Sequence, residues 1–259
     1  MKITTLNLNG LRAASKKGFR SWLERSEPDV LCLQEVRAEP SDAPEGVFDG
    51  WTVHWNPAQK KGYAGTAIVT RAEGEVRIIQ DLPRVGEEGR LIGISLPALD
   101  VWSVYVPSGS SGEEKQAWKM EFLGWFRPWL DQVRAGRPAV ICGDINICHT
   151  PLDIKNAKGN EKNSGFLPEE RAWLSSLFAS GWSDAFRQRH PDAQLYSWWS
   201  QRGGAYDRDV GWRIDQHWLT PGLRAREVWI ERDARLSDHA PVNLELELGC
   251  ARHSGIFRL

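Results

Sequence analysis

PAVICGDIN, residues Pro138 to Asn146, decides how the rest of this chain is read. The run from Ala139 to Cys142 is continuously apolar and too short for a helix, as expected of a central strand covered on both faces. It ends in Asp144 and Asn146, two residues apart. A second run, DVLCLQE, ends the same way in Glu35. Each is preceded by a helical segment, so this echo predicts two packed sheets, one per half of the chain, with helices outside. KITTLNLN, TAIVTR, RLIGISL, VWSVYVP, WRIDQHWLT and VNLELEL read as further strands. In the last, Val242, Leu244, Leu246 and Leu248 alternate with Asn243, Glu245 and Glu247, which suits an antiparallel strand buried on one face.

Three helical segments complete the pattern. Ser111 to Glu114 reads as a capping box opening a helix with Met120, Leu123, Phe126, Leu130 and Val133 inward. Pro128 is expected to kink or split that helix. Residues 168–179 begin with a proline and place Trp173, Leu174, Leu177 and Phe178 on one side, before Gly181. A shorter helix near residues 16–26 would bury Phe19, Trp22 and Leu23. No linker-like stretch divides the chain, so residues 1–259 read as one domain: an α/β, four-layered sandwich of two mixed sheets flanked by helices.

Composition narrows the class. A length of 259 residues, 41 % hydrophobic and 26 % charged, is globular rather than disordered. The apolar runs are too short to span a bilayer, and the first residues lack the continuous apolar segment of a signal peptide. A cytoplasmic address, and no membrane partner, are expected. Cys32, Cys142, Cys148 and Cys250 form no zinc pattern, and the first three lie in or beside apolar runs, where buried reduced thiols are common. The net charge of −1 means that any binding to nucleic acid must come from local charge.

The polar residues at strand ends carry the chemistry. Glu35 follows VLCLQ directly, where an unpaired carboxylate is costly to bury; it either pairs with a cation such as Arg37 or holds a metal. Hard oxygen ligands without clustered cysteine or histidine suit magnesium or manganese. Asp144 beside Asn146 suits an acid that activates water and an amide that donates to phosphate, although an Asx turn is the plainer alternative. Asn7 and Asn9 share one side of the first strand, and Asn9-Gly10 is also a turn signal. Asp215 in WRIDQHW needs a partner; if it accepts from His239, the imidazolium is favoured and can stabilise phosphate charge.

Taken together, LNLNGLRA, LQEVR, GYAGTAI, EGRLI, VYVPSG, GDINICH, NAKGNEKNSGFLPEER, VGWRID and SDHAP resemble, in kind and order, the exonuclease III family of apurinic/apyrimidinic endonucleases. That family lies within the DNase I-like endonuclease/exonuclease/phosphatase superfamily, and the likeness spans about residues 1–248. The resemblance implies that Glu35 is the principal magnesium carboxylate, with Asn7, Asn9 and Asp238 beside it. It implies that Asp144 positions or activates water, that Tyr105, Asn146 and His239 hold the scissile phosphate, and that Asp215 partners His239. Trp198, Trp212 and Ile214 match the segments lining an abasic-sugar pocket. Asn9 stands where some members carry aspartate, Ser108 where several have asparagine, and SGSSG lacks an arginine found in some relatives.

The expected partner is double-stranded DNA with abasic sites or blocked 3′ ends, bound by a monomer through Arg37, Tyr63, Arg90, Lys155, Lys158, Lys162 and Arg202. Arg208 and Arg213 add to a second basic patch with Arg202. The asparagines among the three lysines make that stretch a candidate phosphate-contacting loop. The absence of a long basic tail resembles bacterial members, for which a nucleoid-associated, cytoplasmic location is expected. The implied reaction is cleavage 5′ to an abasic site, with 3′-phosphodiesterase, 3′-phosphatase and 3′→5′ exonuclease activity as companions. Two other readings stand beside it: a superfamily phosphatase acting on an inositol phosphate or phospholipid headgroup, and a non-catalytic DNA-binding relative. Most of the fourteen tryptophans are expected to be packing residues.

Overall fold

The computed structural model describes residues 1–247; Leu248 and Cys250 lie outside them. Its strands, in chain order, are β1 (Lys2–Asn7), β2 (Val30–Gln34), β3 (Thr52–Asn56), β4 (Thr66–Thr70), β5 (Glu75–Ile78), β6 (Leu91–Ser95), β7 (Asp100–Tyr105), β8 (Ala139–Asp144), β9 (Ser183–Asp184), β10 (Trp198–Trp199), β11 (Gly211–Trp212), β12 (Asp215–Leu219), β13 (Arg224–Ile230) and β14 (Val242–Glu247). They form two six-stranded mixed sheets, ordered β13-β14-β1-β2-β4-β3 and β5-β6-β7-β8-β12-β9, and a small β10-β11 ribbon. The division is not one sheet per half: β13 and β14 return to the first sheet and close it against β1. The echo between DVLCLQE and PAVICGD has a narrower origin. Each is the second strand of a parallel pair, β1–β2 and β7–β8, joined through helices.

The α-helices are α1 (Leu11–Lys16), α2 (Phe19–Ser26), α3 (Pro83–Glu87), α4 (Glu113–Ala135), α5 (Ala157–Asn160), α6 (Pro168–Ala179) and α7 (Ala185–Arg189). On the outer face of the first sheet, Phe19, Trp22 and Leu23 pack on Leu31 and Leu33. On the outer face of the second, Phe122, Phe126 and Leu130 of α4 and Leu174 and Leu177 of α6 pack on Ile141 and Trp218. Between the sheets lie Ile3, Val30, Val101, Val140, Leu219, Val242, Leu244 and Leu246. The four layers therefore follow from strands that carry apolar side chains on both faces.

Some local expectations need refinement. The helix expected near 16–26 is α2, with Phe19, Trp22 and Leu23 buried as expected, and Gly18 at φ 90° separates it from α1. Helix α4 begins after Gly112, with φ 111° and no side-chain cap, so Ser111 and Glu114 form no capping box. Pro128 lies inside a continuous α4 and does not split it; the packing of Phe126 and Leu130 outweighs the ring's cost of about 3 kcal/mol. In β14 the alternation holds, with Asn243 fully buried through bonds to Thr4 (2.7 Å) and Glu231 (2.8 Å). The tryptophans are mostly core: seven of them lie in the cluster under α4 and α6, namely 102, 118, 125, 129, 173, 182 and 218.

A buried ionic network fixes the chain between the second sheet and the loop after β8. Arg213 pairs with Asp153 and Asp184, each at 2.7 Å, and Arg187 also pairs with Asp153. Asp184 caps α7 through the Phe186 amide at 2.9 Å. Removing Arg213 would leave two acids buried beside fewer cations. Arg213→Met is therefore expected to cost about 3–5 kcal/mol, read as a lowered urea midpoint. A midpoint equal to wild type would mean that Arg187 and the cap suffice.

Candidate active site

The inward faces of the strands change character along their length. Residues Ile3, Thr5 and Asn7 of β1 point between the sheets, as do Val101, Ser103 and Tyr105 of β7 and Val140, Cys142 and Asp144 of β8. Strand β12 runs the other way, with Leu219, His217 and Asp215. At one end the layer is hydrocarbon; at the other it is polar. There Tyr105 pairs in register with Asp144, and Asp144 with Asp215, so three side chains stand in a row. Glu35 follows β2 in the left-handed region, at φ 46°, which turns its carboxylate off the strand end.

The Asn7 carboxamide joins the two sheets, donating to Glu35 Oε1 at 2.8 Å and to Asp144 Oδ2 at 2.9 Å. Asn9 donates to Asp238 at 2.9 Å, and its own amide donates to Asn7 Oδ1 at 2.9 Å. The amide of Asn146 donates to Asp144 Oδ1 at 3.0 Å, and its Nδ2 to Val106 O at 2.9 Å and Asp144 Oδ2 at 3.1 Å. The Asx turn offered as the plainer alternative at Asp144 is thus present, and Asn7 forms a second one. They are what holds these side chains at the site.

His239 donates from Nδ1 to Asp215 Oδ2 at 2.9 Å. Ser197, not foreseen from sequence, donates to the same oxygen at 2.6 Å and accepts from the Ile214 and Asp215 amides. Its only signal was its place before Trp198 in YSWWS. Burial works against a charged imidazole, but the Asp215 carboxylate outweighs it and lifts His239 to about 10. Burial pushes the Asp144 carboxyl up to about 7; His239 opposes this, while Asp215 and Glu35 add to it. Burial and the neighbouring Glu35 raise the Tyr105 phenol well above its usual value, so it stays a neutral donor.

These groups open on a cavity of about 760 Å³. Asn9, Glu35, Arg37, Tyr105, Asp144, Asn146, Lys162, Trp198, Trp212, Ile214, Asp238 and His239 line it; Asn7 and Asp215 lie directly beneath. One wall is apolar, with Ile214, Phe166, Cys148 and Ile154 backing Trp198 and Trp212. The two indoles meet edge to face at 5.9 Å, and Trp198 Nε1 donates to Asp238 at 3.2 Å. Sequence reasoning missed Gln116, Ser164 and Leu167 as lining residues.

The residues expected to contact DNA separate into two groups. Lys155, Lys158, Lys162 and Arg202 are exposed, while Asn160 and Asn163 brace the lysine loop from within. Tyr63 is half-buried beneath Lys60 and Lys115. Arg37 lines the cavity but pairs with Glu35. Arg90 is not a surface contact: at 2 % exposure it is held by Glu88 at 2.5 Å and by Tyr105 O at 2.8 Å. Its guanidinium lies 4.5 Å over the Tyr105 ring, so it supports that side chain instead. Arg213, buried in its acid network, likewise leaves the second basic patch.

Metal ligation has two candidate sets. The ligand-capable atoms of Asp144, Asp215 and His239 lie within 4.8 Å of one another, but a protonated imidazole bonded to Asp215 has no lone pair to give. By donor chemistry alone, the oxygens of Glu35, Asp144, Asp238 and the Asn7 amide would suit a hard divalent cation better; Asn7 links the first two and Asn9 reaches Asp238. The described thiols Cys32, Cys142 and Cys148 are buried and reduced, and supply no competing soft ligand.

Residues 4–239 match the model of the Endonuclease/Exonuclease/phosphatase family. The chain belongs to this family. An exodeoxyribonuclease of Bacillus subtilis is 35 % identical over 96 % of this chain and 100 % of its own length. DNA repair nuclease APEX1 of Danio rerio is 36 % identical over 95 % of this chain and 82 % of its own. An AP endonuclease from Archaeoglobus fulgidus superposes with a TM-score of 0.86 at 29 % identity, covering 96 % of this chain and all of that one. A 3′-5′ exonuclease from Neisseria meningitidis gives 0.87 at 28 %, again over 96 % and 100 %. The fold is therefore the DNase I-like sandwich of these family members.

The His239–Asp215 pair fixes a pH dependence. Because the folded value of about 10 lies above the ordinary 6.5, its stabilisation is complete below pH 6.5 and is lost as pH rises towards 10. The slope is at most about 1.4 kcal/mol per pH unit. The stability gap between wild type and Asp215→Asn should shrink across that window in urea unfolding. A gap that does not vary with pH would show a neutral imidazole.

Proposed function

We propose that this family member is a metal-dependent DNA-repair phosphodiesterase that cleaves 5′ to abasic sites in duplex DNA. It would leave a 3′-hydroxyl and a 5′-deoxyribose phosphate, and remove 3′-blocking groups or 3′-terminal nucleotides at the same site. The observation that carries this reading is the apolar wall of Trp198, Trp212 and Ile214 directly beside the acid–amide cluster. A deoxyribose without its base can lie against such a wall once extruded, and a base-bearing nucleotide would fit it less closely. The exposed Lys155, Lys158, Lys162 and Arg202 supply sequence-independent phosphate contacts. An inositol phosphate offers no apolar group to that wall, which disfavours the headgroup-phosphatase reading. The full set of acids and the charged histidine disfavour a purely binding role.

Magnesium suits the Glu35-centred oxygen set, with manganese a substitute; when bound it supplies positive charge to the phosphate and to the departing 3′ oxygen. Arg37 would then give up its hold on Glu35. Asp144 takes the proton from the attacking water. Its carboxyl, lifted to about 7, has a basicity matched to neutral pH. Both Nδ2 hydrogens of Asn146 are engaged, so a bound phosphate would take over the one now on Asp144 and free that carboxylate oxygen. His239, with Nδ1 held by Asp215, presents Nε2–H to a phosphate oxygen, and Tyr105 adds a neutral donor.

One time course on an abasic duplex, a matched nicked duplex and a 3′-phosphate duplex, with magnesium and with chelator, tests the reading. Turnover of a soluble inositol phosphate in place of the abasic duplex would overturn it. Asp144→Asn is expected to keep the fold and DNA affinity while slowing turnover by roughly 10²–10⁴-fold; near-normal turnover would remove Asp144 from the mechanism.

Selectivity should reside in the wall. Trp212→Ala is expected to harm abasic-site cleavage more than 3′-phosphate removal, because only the internal sugar must be extruded and held. Both rates measured on one preparation control for misfolding. Equal losses would assign Trp212 to packing or to general DNA binding.

A further inference from the structure

Behind the cavity lies an ion pair that the reaction described above does not use. Lys119 of α4 and Glu170 of α6 are each fully buried, with Nζ 2.6 Å from Oε1. Lys119 Nζ also donates to the backbone carbonyl of Asn146 at 2.8 Å. Glu170 accepts from the Gly165 amide at 2.7 Å and the Leu167 amide at 3.0 Å, both residues of the cavity wall. It also accepts from Gln116 Nε2 at 3.1 Å, another wall residue.

A pair this deep is a poor stabiliser, since desolvation of both charges offsets their attraction and apolar replacements are often neutral or better. Its contacts give it another use. Asn146 is itself at φ 55°, a left-handed conformation that L side chains adopt at some cost. An ammonium donating to its carbonyl holds that conformation from behind, while the carboxamide in front meets Asp144. The same carboxylate fastens the adjoining wall, where Gly165 lies against the Asn146 carbonyl and accepts from the Cys148 amide at 2.8 Å. One ion pair thus holds both the phosphate-facing amide and the loop packed beside it.

We propose that Lys119 and Glu170 are positioning residues that hold the Asn146 carboxamide and the Gly165–Leu167 wall at the distance that cleavage requires. The proposal rests on the phosphodiesterase reading of the site. Because a misplacement of about 1 Å costs on the order of 10²-fold in rate, loss of the pair should act on turnover rather than on affinity.

The test replaces both charges together, Lys119→Met with Glu170→Leu, so that neither is left buried alone. Lys119→Met by itself serves as the second variant, leaving the Gln116, Ser164, Gly165 and Leu167 donors to Glu170 in place. With wild-type thermal stability retained, kcat on an abasic duplex should fall about 10²-fold, with KM within about twofold of wild type because the phosphate contacts that set affinity remain. The Ile147 backbone amide resonance, whose peptide carbonyl is that of Asn146, should move in both variants. Unchanged kcat in folded protein would overturn the proposal, as would a raised KM with kcat unchanged, which would assign the pair to substrate affinity instead. A moved Ile147 resonance in a protein whose wild type cleaves no DNA would sink the phosphodiesterase reading and leave the positioning contact standing.

Discussion

The carboxamide of Asn7 is the contact on which the site depends. One side chain at the end of the first strand donates to Glu35 from its own sheet and to Asp144 from the facing sheet. Two carboxylates brought this close raise each other's proton affinity, and the amide between them offsets part of that repulsion without adding charge. An aspartate there would add a third negative group, and an apolar residue would leave both acids short of a donor. That amide therefore ties the two sheets together at their polar end. A second tie lies one step deeper, where Gln34 donates to Ser103 across the sheets at 2.9 Å.

The site is the point where the inter-sheet core ends. Along β1, β7 and β8 the inward residues run from Ile3, Val101 and Val140 to Asn7, Tyr105 and Asp144, two residues at a time. The apolar end excludes water and drives the packing of the sheets. The polar end is buried beside it, which raises Asp144, while His239 is raised by Asp215 in spite of that burial. His217, one step inside Asp215, marks the boundary. With no charged partner beside it and burial pushing it down to about 3, it is neutral.

Much of this was legible because period two is a strong constraint. A strand that ends in an acid after a continuous apolar run has few ways to satisfy that acid, so Glu35 and Asp144 announced themselves, and Asp215 did so as a carboxylate within a strand-like segment. What was not legible depended on three-dimensional neighbours. Arg90 and Arg213 look like any other arginine in sequence, and only the folded chain buries each against its acids. The capping box at Ser111 was locally sound, but Gly112 supplies a φ of 111° that lets α4 begin one residue later. The return of β13 and β14 to the first sheet has no local signal, because antiparallel pairing across more than two hundred residues is decided by the whole core. Ser197 and the Lys119–Glu170 pair were invisible for the same reason: their roles lie in what they touch.

The apolar wall is not independent of the charged cluster. Trp198 pairs with Trp212 across the β10–β11 ribbon, bridges to the His239 backbone and donates to Asp238 through its indole nitrogen. A sugar lodged against these indoles would therefore press on the elements that carry His239 and Asp238. In the proposed reaction this ties recognition to chemistry: binding energy gained at the wall is delivered to the geometry around the phosphate, so a sugar that fits should be cleaved faster and not merely held longer. Such an arrangement also explains how one phosphodiester site can serve substrates that differ in what occupies the slot. The charged groups remain common to all of them, and the fit of the sugar against Trp198 and Trp212 sets how well each is aligned.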